Sequence, residues 1–339
     1  MAEGTAGGDA SLAPARRLPS RLSPSAISTY ESCPRRFEYR RVWRLPDPSG
    51  EAAVIGSFVH LVLEGLFGLG ADERSLAAAR AIARSARSAL EASRDFVRLG
   101  LDEAGARAFR RRAWEAIAGY FAMEDPRRVE VRAREEDLVA ELGGVAMRGI
   151  LDRLDEEADG ALVVVDYKTG RLPPPRFRAT AFGQLEIYGA LLEATGVAAA
   201  RGRLLYLRHR EALEVELGKD ATRRATERVR QVAAAIARDF AREDFAPRPG
   251  PLCRFCAFAA FCPATRRGEV GSALSALLGL MRSEQGAALA TTSAQTLAPA
   301  GADTSSEVEM ASGATDEGRA SRSASATRSW SWSSCWRDG

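Results

Sequence analysis

Two aspartates and a lysine lie close together in the middle of this 339-residue chain. Asp152 lies in the short apolar run 149–154, and Asp166 and Lys168 lie in a second, β-branched run at 161–170. An unpaired carboxylate in an apolar setting is costly, so each aspartate needs a positive partner. Carboxylates that hold Mg²⁺ or Mn²⁺ beside a lysine amine are what metal-assisted hydrolysis of a phosphodiester needs.

A predicted β-hairpin would position these residues. The two apolar runs are separated by the acidic, glycine-ended segment 156–160, which is typical of a turn. Side chains alternate along a strand, so Asp166 and Lys168 should share one face while Tyr167 lies on the other. Taken alone, a D-x-K triplet is more often a structural ion pair on a solvated strand. The surrounding motifs therefore matter.

Further motifs occur around the hairpin in a definite order. A G-x-x-x-H segment ends at His60, G-x-x-D-R contains Asp152, D-Y-K-T-G contains Asp166, and Q-L-x-x-Y follows at 184–188. Together they resemble the PD-(D/E)xK nuclease superfamily, in the branch of the RecB-type and AddB-like nuclease domains, over about residues 21–265. The resemblance implies a restriction-endonuclease-like α/β fold, with a mixed central sheet flanked by helices.

The resemblance also implies a role for each motif residue. Asp152 and Asp166 would be the main ligands of Mg²⁺ or Mn²⁺. His60 would be an additional ligand, and the backbone carbonyl of Tyr167 a further one. Lys168 would orient the attacking water, with no covalent intermediate.

Gln184, Tyr188 and one of two adjacent glutamates are further candidates for the same site. A helix is predicted over 180–195, and Gln184 and Tyr188 lie at i and i+4 on one face of it. The resemblance places both beside the metal, in contact with the phosphate or a ligated water. A core tyrosine and a surface amide are the alternatives. In relatives an acidic residue of the preceding strand joins the site, but spacing does not choose between Glu135 and Glu136.

Four cysteines form a second candidate site. Cys33 is predicted to lie on a first helix that begins near Ser25, and Cys253, Cys256 and Cys262 cluster far downstream. In a reducing cytosol, clustered cysteines more often bind metal than form disulfides. Four thiolates suit either Zn²⁺ or an iron-sulfur cluster. The resemblance to iron-sulfur members, such as the CRISPR-associated single-strand exonucleases, favours a [4Fe-4S] cluster that clasps both ends of the domain.

Composition divides the chain into three parts. Residues 1–20 and 266–339 are rich in small and polar residues without periodicity, and we expect both to be disordered. Residues 21–265 would form the nuclease domain. The net charge is only +3, so any nucleic-acid footprint must be local. The arginines across 75–115 are either a solvated helix face or a basic wall that tracks phosphates.

The sequence lacks the features of a membrane or motor protein. No run approaches the roughly 18 to 20 apolar residues that span a bilayer, and the N-terminus lacks the apolar core of a signal peptide. We therefore expect a cytoplasmic protein. No G-x-x-x-x-G-K-[ST] motif is present, so a helicase would be a separate subunit.

These observations predict a metal-dependent deoxyribonuclease. The resemblance favours an exonuclease that acts on the ends of single-stranded DNA, in repair, recombination or defence. Two alternatives come from other classes of protein. One is a non-catalytic or helicase-dependent DNA-binding subunit that retains the nuclease fold. The other is a zinc-stapled structural protein with an incidental D-x-K.

Overall fold

A computed structural model of the chain describes residues 16–265. This part contains eight α-helices and five β-strands. The helices are α1 (Pro24–Ser32), α2 (Pro34–Phe37), α3 (Glu51–Phe67), α4 (Leu76–Ala92), α5 (Arg94–Arg98), α6 (Glu103–Phe121), α7 (Arg178–Ala194) and α8 (Lys219–Ala241). The strands are β1 (Val131–Leu142), β2 (Val145–Glu156), β3 (Leu162–Lys168), β4 (Arg201–Tyr206) and β5 (Glu211–Glu216).

The five strands form one mixed sheet in the order β1-β2-β3-β4-β5. Neighbouring strands are antiparallel except β3 and β4, which are parallel. Parallel neighbours need a long crossover, and α7 supplies it between β3 and β4. The predicted α/β fold, a mixed sheet flanked by helices, is confirmed.

The predicted hairpin is formed by β2 and β3. The antiparallel pairing begins with Glu156 opposite Leu162 next to the turn, and it ends with Arg153 opposite Val165. The alternation of side chains also follows the prediction. Val165 and Tyr167 pack in one core and Val164 in the other. Beyond the paired part, β3 continues beside β4 alone, and this leaves room beside β2 for polar side chains.

Helices cover both faces of the sheet. On one face, α1, α7 and α8 pack over a core that includes Ile27, Leu151 and Val229. On the other face, α3, α4 and α6 pack over a core that includes Val59 and Ile117. Buried aliphatic side chains of this kind each contribute about 1.5 to 3 kcal/mol to folding. Within the described residues, no helix combines the length and apolarity that a bilayer crossing requires.

The first helix is shorter than predicted. Ser23 caps it by accepting a hydrogen bond from the Ala26 amide, but α1 ends at Ser32 and a separate turn, α2, begins at Pro34. Cys33 lies between them in an extended conformation, with φ −163° and ψ 107°. Proline disfavours a helical conformation in the preceding residue, which explains the break. The prediction that one helix carries Cys33 is therefore wrong.

Two predicted segments fall mostly outside the described residues. The tail 266–339 lies there completely, as do residues 1–15 of the N-terminal segment. Within the described remainder of that segment, Arg16 donates a hydrogen bond of 2.7 Å to the carbonyl of Phe240 on α8.

Candidate active site

His60 of α3 connects the helix to both strands of the hairpin. Its Nδ1 lies 3.2 Å from Oδ1 of Asp152 on β2, and its Nε2 lies 2.9 Å from the carbonyl oxygen of Tyr167 on β3. The other carboxylate oxygen of Asp152 accepts a 2.8 Å hydrogen bond from the Tyr167 amide. The carboxylate thus takes the place of a strand partner where β2 and β3 separate.

Asp166 and Lys168 point to the same side of β3, as the alternation predicted. Lys168 Nζ lies 2.5 Å from Oδ2 of Asp166, whose side chain is only 5% exposed. The ammonium also donates a 3.1 Å hydrogen bond to Oε1 of Gln184 on α7. The lysine is therefore held between a carboxylate and an amide.

Gln184 and Tyr188 meet one turn apart on α7. The amide Nε2 of Gln184 donates to the Tyr188 hydroxyl over 3.3 Å, and that hydroxyl donates to the carbonyl of Ile150 over 2.5 Å. Tyr188 is also a buried member of the core. Its ring passes so close to β2 that a Cβ on Gly149 would lie 2.8 Å from Cε1. Tyr188 thus belongs to the core and also contacts the site.

Between the two adjacent glutamates of β1, the structure selects Glu135. One ligand atom each from His60, Glu135 and Asp152 lie within 4.8 Å of one another, an arrangement that could hold a metal ion. Glu136 is exposed and lies outside this set. Glu135 has φ 44°, in the left-handed region that non-glycine residues seldom adopt. Spacing along a regular strand could not have revealed this irregular backbone.

The side chains that converge differ in part from the predicted metal ligands. His60 and Asp152 belong to the group of three, together with Glu135. Asp166 lies beside the group and contacts Lys168 instead. The Tyr167 carbonyl, also predicted as a ligand, bonds to His60.

Burial makes this cluster of carboxylates reluctant to ionise. Burial, together with the negative charges of Asp152 and Glu64, raises the pKa of Glu135 to about 7. Burial also raises the pKa of Asp166, where the Lys168 charge acts in the opposite direction and Asp152 adds to the rise. Burial likewise raises the pKa of Glu64 to about 7. A bound cation would relieve this repulsion.

The remaining site groups keep their charges. Burial opposes the charge of Asp152, but His60 and the Tyr167 amide outweigh it and lower the pKa of this carboxyl. Burial alone would lower the pKa of His60, yet Asp152 and Asp166 raise it to about 9. Burial also opposes the charge of Lys168, and Asp166 more than compensates, so the pKa of the lysine is raised.

The site lies in a cleft of about 1100 Å³ between the sheet and the α3–α4 pair. The wall contributed by α4 consists of small and apolar side chains, among them Ile82, Ser85 and Ala86, and includes no arginine. Several arginines of α4 and α6 instead pair with glutamates, such as Arg87 and Arg110 with Glu91. The basic wall that we considered from sequence gains no support from the lining of this cleft.

The arginine of the G-x-x-D-R motif is buried behind the site, and the sequence analysis assigned it no role. Arg153 is 1% exposed and donates hydrogen bonds to the Tyr167 hydroxyl (2.8 Å), Glu124 (2.9 Å) and Asp155 (2.8 Å). It therefore anchors the ring of Tyr167, whose backbone contacts His60 and Asp152. A charged residue inside an apolar strand was the signal that could have identified it.

The four predicted cluster cysteines, which are free thiols, all line one small cavity of about 30 Å³. The backbone amide of Arg248 donates to Cys33 Sγ over 3.5 Å, and that of Gly250 donates to Cys253 Sγ over 3.3 Å. In the described part of the chain, no three of the sulfurs lie within 4.8 Å of one another.

Comparison with known proteins identifies a family. The model of the PD-(D/E)XK nuclease superfamily matches residues 21–263. No curated protein matches the chain. Among solved structures, a candidate exonuclease from Eubacterium rectale is similar, with 14% identity, a TM-score of 0.43, and coverage of 74% of this chain and 89% of that one. The protein SSO0001 shows 19% identity and a TM-score of 0.33, and the coverage is 74% and 88%.

Proposed function

Because the chain belongs to the PD-(D/E)XK nuclease superfamily, we propose that it is a metal-dependent deoxyribonuclease that hydrolyses phosphodiester bonds in DNA. One observation carries the proposal. At one end of the cleft, His60, Glu135 and Asp152 bring three ligand atoms within 4.8 Å, and the Asp166–Lys168 pair lies beside them. Superfamily membership alone would also fit a protein that had lost its active site. The complete set of acidic and basic side chains favours a working enzyme.

The residues present fit a hard divalent cation. Carboxylate oxygens with one imidazole suit Mg²⁺ or Mn²⁺, and the raised pKa of Glu135 shows the cost of packing these groups without a cation. His60, Glu135 and Asp152 would hold the metal, with Asp166 and the Tyr167 carbonyl as further ligands. When bound, the metal supplies polarisation of the phosphate and a nucleophilic water.

Lys168 is the residue that we assign to the water and the phosphate. Its ammonium, fixed by Asp166 and Gln184, would orient the attacking water and offset charge that develops on the phosphate. Gln184 would keep the lysine in place. Tyr188 would hold α7 against β2 through the Ile150 carbonyl. In this scheme no side chain becomes covalently bonded to the DNA.

We propose that the substrate is DNA with free ends, and that single strands are preferred. This choice follows from the resemblance of the motifs to those of RecB-type exonucleases. Residues 21–265 would form the complete nuclease domain. A separate helicase would supply the strands if the protein degrades duplex ends, in repair, recombination or defence.

We further propose that Cys33, Cys253, Cys256 and Cys262 hold a [4Fe-4S] cluster. The four thiols share one cavity, and two of the sulfurs receive backbone hydrogen bonds, which tune such clusters. A tetrahedral zinc site would bring the four sulfurs within about 3.8 Å of one another, given Zn–S bonds of about 2.3 Å. The resemblance of the motifs to those of iron-sulfur members, and not the positions of the sulfurs, favours the larger cluster over zinc.

The test is cleavage of end-labelled linear and circular single-stranded DNA by anaerobically purified protein, with Mg²⁺ or Mn²⁺. We expect linear DNA to be degraded, and Lys168→Ala to lower the rate about a hundredfold or more. Circular dichroism would confirm that the variant is folded. Cleavage at equal rates by both proteins would contradict the mechanism. Binding without cleavage by the metal-loaded wild type would favour the non-catalytic or helicase-dependent subunit.

A further inference from the structure

Arg134 and Glu135 are neighbours on β1, yet both line the cleft beside His60 and Asp152. Successive side chains of a regular strand point to opposite faces, so one of the two should point away. The left-handed φ of 44° at Glu135 removes this constraint. The irregular backbone therefore directs the Glu135 carboxyl and the Arg134 guanidinium into the same cleft.

The packing on either side confirms that the alternation changes at this point. Ala133 and Leu138 both pack against the same hydrophobic core, although they are five positions apart. An odd separation would place them on opposite faces of a regular strand. The change of face lies between them, in the segment that contains Glu135.

Three lysine or arginine side chains line the cleft, and two of them are engaged. Lys168 contacts Asp166, and Arg148 forms a two-pronged pair with Asp137 at 2.9 and 3.1 Å. Arg134 is exposed, and among the described residues it forms no hydrogen bond or ion pair. Its guanidinium lies against Gly68 at the end of α3, where a Cβ would lie 3.4 Å from one of its nitrogens, and it lowers the pKa of the carboxyls of Glu64 and Glu135 through space.

We propose that Arg134 binds a backbone phosphate of the DNA strand next to the metal, so that the Glu135 turn presents a metal ligand and a phosphate ligand side by side. The inference rests on the proposed nuclease function. A planar guanidinium can donate two parallel hydrogen bonds to one phosphate, which the point charge of a lysine cannot match. Arg134 would thereby set the register of the strand relative to the metal.

A structural role for Arg134 makes different predictions. If the guanidinium only offsets the negative charge of Glu64 and Glu135, its removal would change metal binding. If it binds phosphate, its removal would weaken DNA binding and leave the metal in place. Arg132 supplies the matched control, because it lies on the same strand, is exposed and does not line the cleft.

The experiment measures the affinity of a short single-stranded oligonucleotide for the full chain in Ca²⁺, across a range of salt concentrations. Arg134→Ala should weaken binding about tenfold. It should also reduce the slope of log affinity against log salt by about 0.7, the contribution of one phosphate contact. Arg134→Lys should retain the slope with intermediate affinity. Arg132→Ala should stay within about twofold of wild type. Titration with Mn²⁺ alone, at a pH well above the Glu135 pKa of about 7, should give an affinity for Arg134→Ala within about twofold of wild type.

Two results would overturn the assignment while leaving the nuclease proposal intact. One is an Arg134→Ala protein that binds the oligonucleotide as tightly as the Arg132→Ala protein. The other is an Arg134→Ala protein that loses Mn²⁺ affinity together with DNA affinity, which would show a structural role. Failure of wild-type protein to bind or cleave any DNA is a distinct outcome, and it would reject both proposals.

Discussion

Two adjacent glutamates on β1 have very different surroundings. Glu135 faces His60 and Asp152, and burial contributes most to the rise of its pKa to about 7. Glu136 is exposed on the same strand. The same substitution, glutamate to glutamine, can therefore be made at both positions, and only the one at Glu135 should affect the proposed metal site.

We expect Glu135→Gln to lower Mn²⁺ affinity about tenfold or more, because it removes a carboxylate ligand and keeps the side-chain shape. Glu136→Gln should change the affinity by less than about twofold, because that carboxylate is exposed and lies outside the group of three ligands. Titration calorimetry on both variants would measure the difference. Equal losses in the two variants would show that the metal does not bind beside Glu135.

The protonation of the same residues makes metal binding depend on pH. Without metal, Glu135 has a pKa of about 7 and His60 a pKa of about 9, so protons occupy both groups at pH 6. A cation binds the deprotonated forms and must displace these protons. Mn²⁺ affinity should therefore rise between pH 6 and 9, by up to about tenfold per pH unit for each proton displaced.

This pH dependence can be measured as Mn²⁺ dissociation constants at several pH values. Calorimetry in buffers of different ionisation enthalpy would count the protons released. Glu135→Gln should show a weaker rise between pH 6 and 8, because one titrating ligand is gone. A flat profile, or affinity that falls as the pH rises, would contradict the predicted protonation states.

At the scale of secondary-structure elements, Arg153 connects parts of the chain that surround the site. It extends from β2 and donates hydrogen bonds to Tyr120 of α6, to Glu124 just after α6 and to Tyr167 of β3. Its guanidinium also lies over the ring of Phe67 at the end of α3. The side chain thus ties the helices to the strand whose backbone contacts His60.

We expect Arg153→Met to lower the free energy of unfolding by about 3 to 5 kcal/mol. The substitution fills a similar volume but leaves Glu124 and Asp155 without their buried partner, which is the costly way to break an ion pair. Arg153→Lys should lower the free energy of unfolding by less, because lysine keeps the positive charge although it lacks the several N–H donors of the guanidinium. Urea denaturation measures both. A loss below about 1 kcal/mol for Arg153→Met would show that water or other cations solvate the two carboxylates.

At the scale of the whole molecule, the end of α8 and the segment after it pack against the segment before α3. Phe245 stacks on Phe37 with ring centroids 6.2 Å apart, and the Tyr30 hydroxyl donates to Asp239 over 2.6 Å. Both contacts join the two ends of the domain near Cys33. The proposed cluster would add a covalent link across the same junction.

We expect anaerobically purified protein to be brown and to contain about four irons per chain, as a [4Fe-4S] cluster requires. Cys256→Ser should lose the colour and unfold at least about 5 °C lower, because the cluster closes a very long loop of chain. Cys335, the fifth cysteine of the sequence, is not assigned to the cluster. Cys335→Ser is therefore the matched control and should keep both properties. A colourless wild type with one zinc per chain would instead support the zinc alternative.

Local physical rules let the sequence alone determine much of the fold and part of the site. Alternation along β3 predicted that Asp166 and Lys168 point together, since this depends only on strand geometry. The helical spacing on α7 likewise predicted that Gln184 and Tyr188 meet. The break in the helix at Cys33 was also a local effect, because the following residue, Pro34, disfavours a helical conformation at Cys33. The roles assigned to these residues stay predictions.

Only the tertiary structure decided which groups complete the site. Glu135 rather than Glu136 joins His60 and Asp152, because a left-handed backbone at one residue overrides the alternation that sequence reasoning assumes. The partners of Arg153 come from elements far apart in the chain, so no local pattern could name them. Spacing and propensity describe a single element. Long-range packing determines which side chains share a buried space, and with it their charge and their chemistry.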